Sequence, residues 1–234
     1  MKTIAIAGAG EGLGFSLARK FGANGFQVAL IARNKTKLDA MAEKLKTEGI
    51  EASPFPADLT RSNQLGDAFT AIRQKYGFID VLEFSPLPGK LPPLSTLELT
   101  EESLEQQFNG LILGAVRSVK HVLPDMQERG EGALLFTTPL SSIYPFPPTA
   151  SVGIIASALR AYARNLHIEL KPKGIYVGHL SLGLFMKPGE ETPALVANKW
   201  YEMYLGKGTD EEIYPAGVTP ATIVWPQRQR HSSV

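Results

Sequence analysis

Short, almost wholly apolar runs recur along this chain, separated by longer stretches whose apolar residues fall three and four apart. The runs Ile4 to Ala7, Gln27 to Ala32, Ile50 to Phe55, Asp80 to Phe84, Ala133 to Thr138 and Ile175 to Leu180 predict strands. Their near-continuous apolar character is that of strands buried on both faces of a parallel sheet. Between them, Phe15, Leu17, Ala18, Phe21 and Ala23 keep a helical period that Asn24-Gly25 ends. Leu38, Met41 and Leu45 mark a second helix ending at Gly49, and Ser62 to Tyr76 a third that Gly77 stops. A helix capped by Thr100, with Glu102 behind it, carries Phe108, Leu111, Leu113, Val116, Val119 and Val122 and is expected to end at Leu123-Pro124. Thr149 to Leu170 is a long amphipathic helix, and Pro193 to Leu205 a shorter one with Trp200, Tyr201, Met203 and Tyr204. Beyond Thr209 the sequence reads as an irregular tail in which Ala221 to Trp225 is apolar enough for a short strand and Arg228 to Val234 should be mobile. Pro88, Gly89, Pro92 and Pro93 predict a stiff loop after the fourth strand.

Alternation of strand and helix with right-handed crossovers gives a doubly wound parallel α/β sheet, a Rossmann-like three-layer α/β/α sandwich. No Pro/Gly/Ser-rich linker or repeat divides the chain, so residues 1–234 are expected to form a single domain. The first strand runs into Gly8-Ala9-Gly10-Glu11-Gly12-Leu13-Gly14 and then into a helix, which is the layout of a dinucleotide site. Gly8 lets the chain leave the strand tightly, Gly12 lets backbone approach a pyrophosphate, and Gly14 lets the helix pack closely on the strand. The helix start offers N–H groups and a positive dipole end to phosphate.

About twenty residues past that turn, where an acidic side chain would hold the adenosine 2′-hydroxyl of NAD, stand Arg33 and Asn34. Arginine is a planar donor suited to a 2′-phosphate, so NADP is the expected cofactor. Glu11, inside the turn, opposes that expectation because its carboxylate repels the same phosphate.

Lys+Arg 24 against Asp+Glu 23 leaves a formal charge of +1, which provides no general attraction to nucleic acid or an anionic membrane. A small molecule is the expected partner. The chain has no cysteine, so disulfides and thiolate chemistry are excluded. His121, His167, His179 and His231 show no ligand spacing and read as helix surface, strand or tail rather than metal ligands. No basic segment with a long apolar core precedes the first strand, and no stretch reaches the ~18 apolar residues of a membrane span, so a soluble cytoplasmic protein is expected.

The spacing Gly8-x-x-x-Gly12-x-Gly14 resembles the turn of the short-chain dehydrogenase/reductase family, and the resemblance extends to about residue 205. It implies that Asp58 faces the adenine amino group and Leu59 the adenine ring, with Asp58 or Thr60 also able to cap the next helix. The family's usual Thr is replaced by Ala7, and its Asn-Asn-Ala-Gly after the fourth strand by Phe84-Ser85-Pro86-Leu87, where Ser85 still has a hydroxyl for a ribose. Its Pro-Gly after the sixth strand is Leu182-Gly183 here. The helix near 190–206 occupies the place of the family's lid and either covers the pocket or packs on the body. Relatives associate through the two long helices, Glu101 to Leu123 and Thr149 to Leu170 here, which implies a homo-dimer or homo-tetramer.

Family enzymes move hydride to or from a carbonyl with a Tyr-x-x-x-Lys, a Ser and an Asn. Lysine lowers the phenol pKa, the phenol transfers the proton, and serine holds the oxyanion. Aligned on Ser157 to Tyr162, Gly132 and Leu123-Pro124, those positions fall on Val152, Ala156, Pro139 and Leu111, all apolar. None of the seven tyrosines has a lysine four residues on. Two readings compete. In one, the protein is an NADP(H)-dependent oxidoreductase that uses another proton source near the fifth strand, among Thr138, Ser141, Ser142 and Tyr144, or a pre-activated acceptor. In the other, it binds NADP(H) without turnover as a regulator or scaffold.

Overall fold

The computed structural model describes residues 1–86 and 92–223. Its strands are β1 (Lys2–Ala7), β2 (Phe26–Ala32), β3 (Ala52–Pro56), β4 (Val81–Phe84), β5 (Gly132–Pro139), β6 (Ile175–Leu182) and β7 (Glu211–Tyr214). They form one parallel sheet in the order β3-β2-β1-β4-β5-β6-β7. The order reverses between β1 and β4, which opens a crevice at the C-terminal edge of the sheet where such folds bind ligands.

The helices are α1 (Leu13–Gly22), α2 (Lys35–Thr47), α3 (Ser62–Tyr76), α4 (Glu101–Phe108), α5 (Gly114–Arg129), α6 (Ala150–Leu170) and α7 (Thr192–Gly206), with a π-helical turn at Asn109–Leu113 joining α4 to α5. Strand alternation divides the core into two. Ile4, Ile6, Val81 and Leu135 pack with Leu17 and Phe21 of α1, Leu38 and Met41 of α2, and Trp200 of α7. Ala5, Leu82, Phe84 and Phe136 pack on the opposite face with Phe69 of α3, Val119 of α5 and Leu159 of α6. This is the expected three-layer sandwich.

Three expectations change. The helix of Val119 and Val122 does not stop at Leu123-Pro124 but runs on to Arg129, where Gly130 takes the left-handed conformation. Proline removes one N–H from the ladder, and here Pro124 and Lys120, whose carbonyl loses that donor, are both exposed, so water can serve the carbonyl. The tail is not wholly irregular, because Glu211–Tyr214 pairs with His179 to Leu182 as an edge strand. Ala221 and Thr222 form a turn rather than the start of a strand. The N–H of Ile223 closes onto Thr219 O at 3.1 Å, whereas Val224 and Trp225, the segment Arg228 to Val234 with His231, and Pro88 and Gly89 lie outside the described residues.

The helix α7 packs on the body. Trp200 is fully buried, and the rings of Tyr201 and Tyr204 lie 5.2 and 5.6 Å from that of Phe21 on α1. No helix among the described residues is long and apolar enough to cross a membrane.

Candidate functional site

The glycine turn forms the floor of the crevice. Gly8 has φ +102°, and a Cβ there would stand 2.6 Å from Pro86 Cα, so only glycine lets the tip of β4 press against this turn. A Cβ on Gly14 would meet Ala9 Cα at 2.9 Å, so this glycine lets the helix start pack closely on the turn itself rather than on the strand. Gly12, by contrast, has no protein atom within 4 Å of its Cβ position and opens outward, while Gly10 is equally uncrowded, with 3.9 Å to its nearest neighbour. Glu11 and Leu13 lie between these glycines. The first turn of α1 carries N–H groups that no intrahelical carbonyl can reach. A pyrophosphate fits this cradle by donor chemistry.

Next to it, a cleft of about 190 Å³ is lined by Gly10, Glu11, Arg33, Asn34 and Lys37, with Met41 behind them. Asn34 has a structural duty, since its Oδ1 accepts from the N–H of Lys37 at 3.0 Å and caps α2. Lys37 was not singled out in the sequence. Its Nζ lies 3.9 Å from Glu11 Oε2, so the carboxylate that opposed a 2′-phosphate already faces a cation. Arg33 and Lys37 together fit the extra phosphate of NADP.

Asp58 Oδ1 accepts from the backbone N–H and hydroxyl of Thr60 at 2.9 and 2.8 Å. Neither residue is the N-cap of α3; that position is Arg61, without a side-chain cap. Burial alone would raise the Asp58 carboxyl, but the bonds from Thr60 and the charges of Arg33 and Arg61 outweigh it and hold the group below the usual carboxylate range. Leu59 is 9% exposed and backed by Gly114, whose Cβ position is 3.4 Å from Leu59 Cβ.

At the tip of β4, the N–H of Ser85 donates to Ala7 O at 3.2 Å, immediately before the glycine turn. Its Oγ lies 3.0 Å from Oε2 of Glu83, a carboxyl that is wholly buried. The Thr137 hydroxyl bonds Glu83 Oε1 at 3.1 Å and itself accepts from Trp200 Nε1 at 2.9 Å. Burial pushes Glu83 up to about 8 despite these bonds, so it is a neutral acid at neutral pH.

Of the four residues that the sequence alignment sets at the catalytic positions, Leu111 and Ala156 are buried, Val152 is half-buried and Pro139 is exposed, none carrying a polar side-chain atom. Directly below Pro139 lies a polar cluster. Thr138 Oγ1 is 2.8 Å from His179 Nε2, 2.9 Å from Ser142 Oγ and 3.2 Å from Ser181 Oγ, and the two serine hydroxyls are 2.8 Å apart. His179 Nδ1 meets Glu211 Oε1 at 3.0 Å, and Arg160 of α6 grips the same carboxylate with bonds of 2.5 and 2.7 Å. Burial outweighs Glu211 and, aided by Arg160 and Arg164, lowers His179 to about 4. The neutral ring therefore donates from Nδ1 to Glu211 and accepts from Thr138 at Nε2. Of the candidate proton sources, Thr138 and Ser142 are committed to this cluster, whereas Ser141 and Tyr144 are half-buried neighbours outside it.

His179 thus proves to be a buried network residue. His121 stacks on Phe69 with ring centroids 5.3 Å apart, and His167 Nδ1 lies 3.1 Å from Val177 O. No group of three or more possible metal ligands occurs among the described residues. Sequence reasoning missed Lys37, Glu83, Ser181 and Glu211, and read Trp200 only as a residue of its helix, without its bond to Thr137. One signal was present: a lone carboxylate, Glu83, inside an otherwise apolar buried strand.

Comparison with known proteins agrees with the geometry. The sequence model of the family described as short chain dehydrogenase matches residues 2–191. The Sus scrofa protein named dehydrogenase/reductase SDR family member 4 is 24% identical over 187 residues, which cover 78% of this chain and 65% of that protein. The chain therefore spans a little under two thirds of the length of that relative. A short-chain dehydrogenase from Rhodopseudomonas palustris superimposes with a TM-score of 0.80 at 25% identity, over 94% of this chain and 98% of that one. The L-sorbose reductase of Gluconobacter frateurii, complexed with NADPH and L-sorbose, gives 0.79 at 20% identity over 86% and 89% of the two chains. Sheet order, glycine turn and the match over residues 2–191 converge: the chain belongs to the short-chain dehydrogenase/reductase family.

Proposed function

We propose that the crevice binds NADP(H) and that the protein serves hydride acceptors already activated before they arrive, such as an iminium or a quinone. The observation that carries the first half is the pair Arg33 and Lys37 on one cleft beside the glycine turn, with Lys37 also facing Glu11. The NADPH-bound L-sorbose reductase of the same fold supports that reading. The second half rests on Leu111, Pro139, Val152 and Ala156, which offer no acid and no oxyanion donor.

Bound NADPH supplies a hydride; the residues described here bind and orient. An iminium carbon that accepts hydride becomes an amine with no proton needed, and a reduced quinone takes its proton from water. In this reading Asp58 and Leu59 hold the adenine, and Ser85 meets the nicotinamide-side ribose. The Thr138–His179 cluster fixes the strand ends below the pocket. We place the protein in the cytoplasm with a small-molecule substrate, as a homo-dimer or homo-tetramer.

The same four apolar positions favour a second reading, NADP(H) binding without turnover in a regulator or scaffold. Fluorescence titration with NADPH and NADH, followed by an absorbance screen for NADPH oxidation with carbonyls, quinones and cyclic iminium compounds, separates the two. Tight NADPH binding with oxidation by activated acceptors supports the oxidoreductase. Binding with no oxidation by any class selects the regulator, and absence of binding overturns both.

A further inference from the structure

A carboxyl in the middle of a parallel sheet is costly, because an ionised carboxylate loses its water and needs a cation in return. Among the described residues no cation acts on Glu83. Its register neighbours are Ile6 on β1 and Leu135 on β5, and from α7 it is approached through Trp200 and Thr137. On the same face of the sheet the titratable groups include Tyr176, whose hydroxyl donates to Thr209 O at 2.8 Å, Tyr201 and Tyr204 beside Phe21, and Lys199 of α7, which pairs with Glu212. Glu11, Arg33 and Lys37 line the cleft at the surface, and His179 belongs with Phe136 to the other face of the sheet. Among the described residues only the hydroxyls of Ser85 and Thr137 oppose the effect of burial on this carboxyl.

An indole N–H can only donate, so Thr137 accepts from Trp200 and keeps its own hydrogen available for Glu83 Oε1, 3.1 Å away. With Thr137 donating to Oε1, the acid proton sits on Oε2, 3.0 Å from Ser85 Oγ. When Glu83 is protonated it donates to Ser85, and the hydrogen of Ser85 is free to point outward. When Glu83 is ionised, Ser85 must turn its hydrogen inward to the carboxylate. Ser85 stands at the tip of β4 beside the glycine turn, with its N–H on Ala7 O and Pro86 against Gly8.

We propose that Glu83 and Ser85 form a proton-gated ligand contact, in which protonated Glu83 turns the Ser85 hydroxyl outward to an acceptor oxygen of the nicotinamide-side ribose or pyrophosphate of NADP(H). Ionisation withdraws this donor and places a negative charge beneath an anionic ligand. Glu83 acts through Ser85 and is a positioning residue. A ligand that is anionic and accepts from Ser85 favours the neutral acid, so the carboxyl in the complex titrates above its free value of about 8. Binding above that pH therefore takes up a proton, and affinity falls as pH rises. This inference rests on the proposed NADP(H) reading of the crevice.

The test is NADPH affinity between about pH 7 and 9.5, a range in which the 2′-phosphate is already fully ionised and lysine and arginine side chains still carry their charge. The wild-type dissociation constant is expected to rise by up to roughly tenfold per pH unit above pH 8, the slope for one linked proton. Glu83→Gln keeps a donor toward Ser85 and an acceptor toward Thr137 at every pH, so its profile should be flat over that range. Ser85→Ala should weaken binding near neutral pH by roughly fivefold, as for one lost hydrogen bond.

Calorimetry of the wild type in buffers of different ionisation enthalpy keeps the question decidable even if Glu83→Gln fails to fold. Proton uptake on NADPH binding above pH 8 is expected. Parallel wild-type and Glu83→Gln profiles, or no proton uptake, overturn the gate while leaving the NADP(H) site standing. No NADPH binding at any pH overturns the reading of the crevice itself.

Discussion

Lys37 Nζ stands 3.9 Å from Glu11 Oε2 across the rim of the cleft that Arg33 also lines, and both side chains of the pair are more than half exposed. A pair this long and this hydrated adds little to stability. Its effect is local: it moderates the repulsion that Glu11 would exert on a 2′-phosphate. Arg33→Ala should weaken NADPH by about 1.5 to 3 kcal/mol, as for a charge-assisted hydrogen bond, with NADH nearly unaffected. Lys37→Ala should cost NADPH less, on the order of 0.5 to 1 kcal/mol, and the loss should shrink in high salt. Fluorescence titration of each variant with both cofactors checks this; equal losses for NADPH and NADH would contradict the assignment.

Unactivated ketones, aldehydes and secondary alcohols should give no turnover above background with NADP(H). A positioned general acid typically contributes about 10² to 10⁴-fold and an oxyanion donor about 10² to 10³-fold, and Val152 and Pro139 supply neither. Robust reduction of such a ketone would show that another group does the work, and Tyr144→Phe is then the first variant to assay.

The buried imidazole of His179 makes the fold acid-sensitive. Its folded-state value of about 4 lies below the ordinary 6.5, so the unfolded chain binds the extra proton as pH falls between them. Stability is thus expected to drop by on the order of 1 kcal/mol per pH unit from about pH 6.5 down to 4. His179→Gln should lose that slope, and near neutral pH it should be less stable by about 1 to 3 kcal/mol because Thr138 and Glu211 lose a partner. Denaturant midpoints at three pH values decide it, an unchanged slope in the variant being the contrary result.

Glu83 has the opposite sign. Its value is raised from 4.5 to about 8, so the folded state holds a proton that the unfolded state has released within that window. Its contribution to stability is complete below about pH 4.5 and declines as pH rises to 8, by on the order of 1 kcal/mol per unit. Glu83→Gln should therefore unfold at a higher temperature than wild type at pH 8, with the gap narrowing toward pH 5. A constant gap across that range would refute the raised carboxyl.

Exposed apolar side chains on the α4 to α6 face carry the assembly proposal. Phe108 is 43% exposed, Leu113 37%, Ile154 48% and Ile168 71%. A second copy packing on this face would bury them. Light scattering at tens of micromolar should find a dimer or tetramer, and Ile154→Glu with Ile168→Glu should shift it toward monomer. A wild-type monomer would refute the proposal.

Local patterns in the sequence were enough to determine six of the seven strands, the helices between them and the glycine turn, because period and glycine placement are properties of neighbouring residues. Pro124 misled because a local breaker signal yields where the proline and the residue whose carbonyl loses its donor are both exposed. The strand Glu211–Tyr214 was illegible for another reason: with two glutamates in four residues it has no apolar signature, and pairing with β6 alone makes it a strand. Tertiary structure decided the chemistry of the site. Thr138, His179 and Glu211 are separated by 41 and 32 residues, and only adjacent strands bring them within hydrogen-bond reach. Glu83 was visible as a letter, but its protonation follows from what surrounds it, and burial is set by the whole packed sheet rather than by the residues beside it in the chain.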